Sequence, residues 1–300
     1  MLFAMTQILL VGADGQVGQE LRQTLARLGA VIAVGREALD LTQPAQVAAV
    51  VADTQPNWIV NAAAYTAVDK AESEAETAYQ VNAIAPGLLA KAAHQMGAGL
   101  LQISTDYVFD GQQGVPYTEA QATAPLGVYG ASKLAGEQAI RAACPLHLIL
   151  RTAWIYGSYG KSNFVKTMLR LGQERQEVRV VVDQIGSPTW AKDIAATIAQ
   201  LLPQLTPETA GIYHYTNSGV ASWYDFAVAI FEDALQLGWP LKIQQVVPIT
   251  TADYPLPAKR PAFSALSSSK IQPLLGGPPP HWRSSLRLML SEWQTLSQGR

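Results

Sequence analysis

The stretch "YGASKLAGEQ" sets a phenol, Tyr129, and an ammonium, Lys133, four residues apart and therefore on one face of a helix. A phenol with an ordinary pKa of about 10 exchanges protons poorly at neutral pH unless a nearby positive charge stabilises its anion. Lys133 supplies that charge, and of the eleven tyrosines only Tyr129 has a lysine four residues on. Such a pair suits proton delivery to a carbonyl oxygen, but it is also what a solvated helix face carries for no chemical reason. Its surroundings have to separate the two readings. "ISTDYVFDG" brings Ser104, Thr105 and Asp106 to the end of an apolar run. Thr105 is suited to donate to the same carbonyl oxygen and Asp106 to accept from a substrate hydroxyl; the other reading of both is a turn or helix cap.

A second group of residues has the spacing of a phosphate cradle. Gly12, Gly15 and Gly18 form G-x-x-G-x-x-G between an apolar strand and a helix. Such glycines let backbone approach a pyrophosphate and leave the amides at the helix start pointing at it. The spacing departs from the commoner G-x-G-x-x-G, while the strand and helix that the motif requires are both present. About 20 residues on, where a carboxylate would hold the ribose of NAD, stand Gly35 and Arg36. A guanidinium there pairs with a 2′-phosphate, which favours NADPH with NADH as the alternative; a merely solvated arginine is the other reading. Asp40 and Leu41 fall beside the adenine. "NAAAYTAVD" sets Ala63, Ala64 and Tyr65 where small side chains let a cofactor lie flat. An oxidised nicotinamide would add positive charge near Tyr129, so that a proton leaves the phenol as hydride reaches carbon.

The elements that must position these groups alternate. "QILLV", "AVIAVG", "NWIVNAAA", "GLLQIST" and "LHLILRTAWIYG" read as apolar strands, each joined to the next by helical spacing. The intervening helices are those after the glycine turn, over "LTQPAQVAAVVADTQP" with a cap near Thr42, from Asp69 to Met96, and from Tyr129 to Ala143. Apolar strands alternating with helices predict an α/β fold, a doubly wound, Rossmann-like parallel sheet covered on both faces. Past Gly157 the pattern loosens and prolines gather in "YPLPAKRP" and "GGPPPHW". Residues 1–157 are expected to form the dinucleotide domain and 158–300 mainly a smaller, mixed substrate domain, with segments near 178–202 and 211–236 returning to pack on the first.

Composition narrows the partners. Over 300 residues, 49% hydrophobic content can bury a sizeable core, and a net charge of −2 with a pI near 6.1 leaves no basic excess for nucleic acid. The lone cysteine, Cys144, and four scattered histidines argue against disulfides and structural zinc. No apolar run reaches the roughly 18 residues of a membrane span, and the apolar opening reads as a first strand, so the expected setting is the cytoplasm.

Taken together, the glycine turn, "NAAAYTAVDKAE", "VNAIAPGLLA", "STDYVFDG", "YGASKLAGE" and "LRTAWIYG" resemble the extended short-chain dehydrogenase/reductase superfamily, closest within it to the dTDP-4-dehydrorhamnose reductase family. "DQIGSPTWAKDIA" and "RPAFSALSSSKI" look like that family's later motifs, so the resemblance covers nearly the whole chain. It implies NADPH-dependent reduction of the 4-keto group of dTDP-4-dehydro-L-rhamnose to dTDP-L-rhamnose, in nucleotide-sugar and cell-surface polysaccharide biosynthesis. Carried over, Tyr129 is the acid, Lys133 holds the nicotinamide ribose and lowers the phenol's pKa, and Thr105 stands where many members have serine. Gly15, Gln16, Val17, Asp40, Leu41, Ala64, Tyr65 and Thr66 match cofactor contacts, with Tyr65 where the family often has histidine. Asp106 and Trp154 match sugar-nucleotide contacts, and Asn82 matches a site-lining asparagine that can equally serve backbone hydrogen bonds. Arg260, in "PAKRPAF", suits a diphosphate clamp. Trp190 and Trp223 read as packing aromatics, with contact to the nucleoside as the alternative. Magnesium is implied by the resemblance alone, and no carboxylate cluster marks a site for it. A monomer or homodimer is expected. Two other functions fit the same motifs: a non-catalytic dinucleotide-binding subunit resembling the regulatory chain of methionine adenosyltransferase, and a sugar-nucleotide epimerase.

Overall fold

The protein is described by a computed structural model over residues 6–298. Strands β1 (Gln7–Val11), β2 (Ala30–Val34), β3 (Trp58–Asn61), β4 (Gly99–Thr105) and β5 (His147–Thr152) join the strand Gly211–His214 in one sheet, all pairs parallel. Its order runs from Gly211–His214 through β5, β4, β3 and β1 to β2. Helices α1 (Gln16–Leu25), α2 (Pro44–Thr54), α3 (Val68–Ala71), α4 (Ala75–Tyr79), α5 (Ala85–Gln95) and α6 (Val128–Ala143) connect the first five strands.

Alternation along each strand builds two core layers. Ile8 and Leu10 of β1 pack with Leu21 and Leu25 of α1 and with Ile194 and Ile198 of the helix Ala191–Leu201. Leu9 and Val11 face the other way, onto Val47 and Val51 of α2 and Leu89 of α5. Both faces are thus covered, which is why the strands read as unbroken apolar runs. The chain leaves β1 for β2 on one side and then crosses to β3 on the other, so the carboxyl ends of β1 and β3 flank the crevice where ligands collect in such sheets.

A second core gathers Val165 and Leu169 of the helix Phe164–Glu174, Val178 and Val180 of the strand Glu177–Val181, Phe226 and Ile230 of the helix Trp223–Gln236, and Leu286 and Met289 of the helix Trp282–Gln298. The strand Glu177–Val181 pairs with Gln245–Ile249, away from the main sheet. Of the segments expected to return, Ala191–Leu201 and Gly211–His214 lie with the first core, whereas Glu177–Val181 and Trp223–Gln236 lie with the second.

One local expectation differs from the fold. The helix over 69–96 is broken into α3, α4, a π-turn at Gln80–Ile84, and α5. Pro86, four residues after Asn82, brings no N–H to a regular α-helical bond, and a wider turn accommodates that loss. α2 is N-capped by Gln43, next to Thr42, whose backbone N–H (2.9 Å) and hydroxyl (2.8 Å) both donate to Asp40 Oδ1.

Candidate active site

A cleft of about 730 Å³ opens at the carboxyl ends of β1, β3 and β4, within the size range of small-molecule sites. The glycine turn forms its floor, and its three glycines do different work. Gly12 has φ +80°, and a Cβ there would come within 2.5 Å of Ala63 N. A Cβ on Gly18 would lie 2.1 Å from Gly12 O, so Gly18 serves close packing of strand on helix; it does not line the cleft. Gly15 would meet nothing nearer than Gly12 O at 3.4 Å. It N-caps α1 with no side-chain hydrogen bond and no acidic residue in the first turn, which leaves the helix start suited to an anion. Gln16 and Val17 line the cleft beside it.

Arg36, Asp40 and Leu41 line the far end. Hydrogen bonds from Thr42, then the charge of Arg36, hold the Asp40 carboxyl below the usual range against slight desolvation. Ala63, Ala64, Tyr65 and Thr66 form one wall. Ala63 N–H donates to Asn61 Oδ1 (3.1 Å), while Asn82 accepts from Tyr65 N–H (2.9 Å) and donates to Tyr65 O (3.1 Å) and Ser132 Oγ (3.0 Å). Asn82 therefore pins the wall through backbone hydrogen bonds, from the π-turn that interrupts its helix. The Tyr65 hydroxyl donates to Glu74 Oε2 at 2.7 Å.

Tyr129 and Lys133 of α6 enter the same cleft, beside Ile103 and Ser104 of β4. Thr105 and Asp106 are buried behind them and do not line it. Burial pushes the Tyr129 phenol up to about 12, a hydrogen bond with Thr105 pulls it down, and the Asp106 charge raises it. Lys133 is not among these influences. Its Nζ donates to Ile103 O at 2.7 Å, and burial brings the ammonium down to about 8 against the charge of Glu137. In the structure the group that lowers the phenol is the Thr105 hydroxyl. Thr105 donates to Asp106 Oδ1 (3.0 Å) and accepts from Tyr107 N–H (3.2 Å). With one proton it can donate to Asp106 or to Tyr129, not both. Burial raises Asp106 to about 6, opposed first by hydrogen bonds from Ser264 and Thr105.

Behind Lys133 lies an ion pair. Glu137, one turn further along α6, accepts from Arg151 Nε (2.9 Å), Arg151 Nη2 (2.6 Å) and Ser104 Oγ (2.6 Å), with both charged side chains at most 3% exposed. Arg151 Nη1 meets His214 Nε2 at 3.4 Å, and burial followed by the Arg151 charge lowers His214 to about 3, so it stays neutral.

The other two expected substrate contacts, Trp154 and Arg260, do not line this cleft either. Trp154 has φ +45°, a strained value for a bulky residue; its ring stacks on Trp223 at 3.5 Å and 3° and lies over Gly186. Trp190 is buried in the second core. Arg260 is bidentate to Asp69 (2.6 and 2.7 Å) and also donates to Ala258 O (2.7 Å). The fork expected to face a diphosphate is thus already answered by a carboxylate. Arg260 does act on Tyr107, whose ring meets Tyr129 edge-on at 5.5 Å, so it belongs to the surroundings of the phenol. Among the described residues there is no group of three His, Cys, Asp or Glu able to hold a metal, and no helix long and apolar enough to cross a membrane.

Sequence reasoning missed Asp14, Glu74, Thr77 and the segment 160–162, all of which line the cleft. For 160–162 the signal was present: "GSYGKSN" is a glycine- and serine-rich turn just past a strand end. Glu137 and Arg151 were missed as well, although an arginine in the apolar run "LHLILRTAW" requires a buried counter-charge.

Residues 5–295 match the family described as the RmlD substrate binding domain, and the chain belongs to that family. It is 45% identical over 296 residues to the dTDP-4-dehydrorhamnose reductase of Escherichia coli K12, covering 97% of this chain and 99% of that one. The corresponding relative from Burkholderia thailandensis is 44% identical, over 95% and 98%. A crystal structure of dTDP-4-dehydrorhamnose reductase from Bacillus anthracis in complex with NADP superposes with a TM-score of 0.89 at 40% identity, over 96% and 99% of the two chains. The UDP-glucose 4-epimerase of Thermus thermophilus shares the fold, with a TM-score of 0.78 at 21% identity.

Proposed function

We propose, with membership of that family as the premise, that this chain reduces the 4-keto group of dTDP-4-dehydro-L-rhamnose to dTDP-L-rhamnose with NADPH, in the cytoplasm. One observation carries the reading: Tyr129 and Lys133 line the same cleft as the open Gly15 turn and Arg36. The cleft's residues fit a dinucleotide, with the uncapped start of α1 for the diphosphate, Arg36 for the 2′-phosphate, and Ala63 and Ala64 as the flat wall. When bound, the nicotinamide supplies the hydride.

The chain's own residues account for the proton. Tyr129 donates its phenolic proton to the oxygen at C4 as that oxygen takes on negative charge. Thr105 then turns its single proton from Asp106 to the phenolate, which stabilises the anion left behind. Protonated Lys133, steadied on Ile103 O, holds the ribose. Trp154, fixed by its strained backbone and by Trp223, supports the sugar nucleotide, with Asp106 and Arg260 nearer the phenol. Retention of Thr105, Tyr129 and Lys133 favours an enzyme over a dinucleotide-binding subunit, and the assay below decides between them.

Mixing the protein with the keto sugar and NADPH tests the proposal and separates the alternatives. Loss of 340 nm absorbance in proportion to product is expected. An epimerase would leave the absorbance unchanged while converting the sugar, and a non-catalytic subunit would change neither.

A further inference from the structure

The lip of the cleft facing the glycine turn is the loop 157–163, which leads from the short strand Ile155–Tyr156 into the helix Phe164–Glu174. The first residue of α1 holds it in place: Gln16 Nε2 donates to Ile155 O (3.2 Å), and Gln16 Oε1 accepts from Asn163 Nδ2 (3.4 Å). A Cβ built on Gly160 would lie 3.0 Å from Gln16 Cβ and 3.5 Å from Gln16 N. Lys166 Nζ donates to Gly160 O (2.7 Å) and Tyr159 O (3.3 Å), which fixes the loop from its other side. Lys161 follows Gly160, is exposed and lines the cleft. It makes no hydrogen bond or ion pair among the described residues. The nearby carboxylate of Asp14 is paired with Arg22 at 3.0 Å. An ammonium with no internal counter-charge therefore stands one residue from the backbone that touches the start of α1.

We propose that Lys161 binds the diphosphate of the dinucleotide from the side opposite α1, so that the anion is held between a helix N-terminus and a lysine of the other lobe. This rests on the function proposed above and extends it, because it makes the second half of the chain part of the cofactor site. The position sets Lys161 apart from Arg36, which lies near Asp40 at the adenosine end. A diphosphate is common to NADPH and NADH, whereas the 2′-phosphate belongs to NADPH alone.

The test is a fluorescence titration of the full chain with NADPH and with NADH at low and moderate salt, on the wild type, Lys161→Met, Lys161→Gln, Lys161→Arg and Arg36→Ala. Loss of one charge-assisted bond predicts a Kd raised about tenfold for both cofactors by the same factor in Lys161→Met and Lys161→Gln, with a weaker salt dependence. Lys161→Arg should bind nearly as the wild type does, and Arg36→Ala should lose affinity for NADPH only. Unchanged Kd values in either neutral variant, or a loss confined to NADPH, would overturn the assignment. Lys161 is exposed, so melting temperatures should be unchanged; a tenfold loss that Lys161→Arg does not restore also counts against it. Failure of the wild type to bind either cofactor would instead overturn the proposed function.

Discussion

Glu137→Gln is the substitution with the most to say about how the site is held. Glu137 takes three short hydrogen bonds, two of them from Arg151, and neither member of the pair meets solvent. Among the described residues the other hydrogen-bonding partner of Arg151 is His214, which is kept neutral, so Glu137 serves as the counter-charge of this guanidinium. Neutralising it strands a buried cation and turns an amide toward donors. Breaking a buried pair from one side costs about 3 kcal/mol or more. At roughly 2–4 °C per kcal/mol for a large domain, the melting temperature should fall by at least about 6 °C. A second effect separates packing from chemistry. The Glu137 charge opposes the burial that brings Lys133 down to about 8. Without that charge the ammonium loses its proton at lower pH, and a step that needs protonated Lys133 fails earlier as pH rises. The assay is calorimetry together with kcat/KM between pH 6 and 10: the wild-type rate should decline above about pH 8, and the Glu137→Gln rate should decline from a more acidic midpoint. Replacing both partners, as Glu137→Leu with Arg151→Met, should recover much of the stability but not the wild-type midpoint. An unchanged melting temperature would refute the energetic reasoning, and a lowered one with an unmoved midpoint would refute the link to Lys133.

Tyr129→Phe should lower kcat by about 10²-fold or more while leaving the Kd for NADPH within a factor of two, since it removes a proton donor and keeps the ring against Tyr107; parallel loss of binding in a titration would contradict the role. Glu20 is buried on α1, its Oε1 without a partner among the described residues, and burial, then the charge of Glu292, raise its carboxyl to about 7 from 4.5. A pKa raised on folding gives stability that is present below about pH 4.5 and lost as pH rises through about 7, up to about 3 kcal/mol. Glu20→Gln should therefore melt higher than the wild type at pH 8 and alike at pH 4.5, and a pH-independent difference between the two curves would reject the assignment.

What the residue order made legible was whatever depends on neighbours in sequence. "GLLQIST" is β4 from Gly99 to Thr105 because an apolar run ending in small hydroxyls can be buried on both faces of a sheet, with the amide of its one larger polar residue, Gln102, hydrogen-bonded to Asn61 and Ile103 O. The glycine turn was legible too, since strand, φ-positive glycine and helix start are contiguous. What stayed hidden was settled across the chain. The role of Asn82 depends on Tyr65, whose peptide it binds from 17 residues away. The residue type of Arg260 suits a diphosphate, but the carboxylate that occupies it lies 191 residues earlier. The contrast with Arg151 is instructive. An arginine inside a buried strand cannot remain uncompensated, so "LHLILRT" implies a partner even before that partner is known, and the nearest glutamate on the preceding helix is the one used. Arg260 sits in a proline-rich loop where water is as good a partner as any side chain, so nothing local required Asp69. Sequence reasoning about a charge is therefore strongest where the surroundings are apolar, and Lys133, set one turn before Glu137 and against β4, meets that condition where Arg36 and Lys161 do not. The latter two are the charges on which direct measurement of cofactor affinity has most to decide.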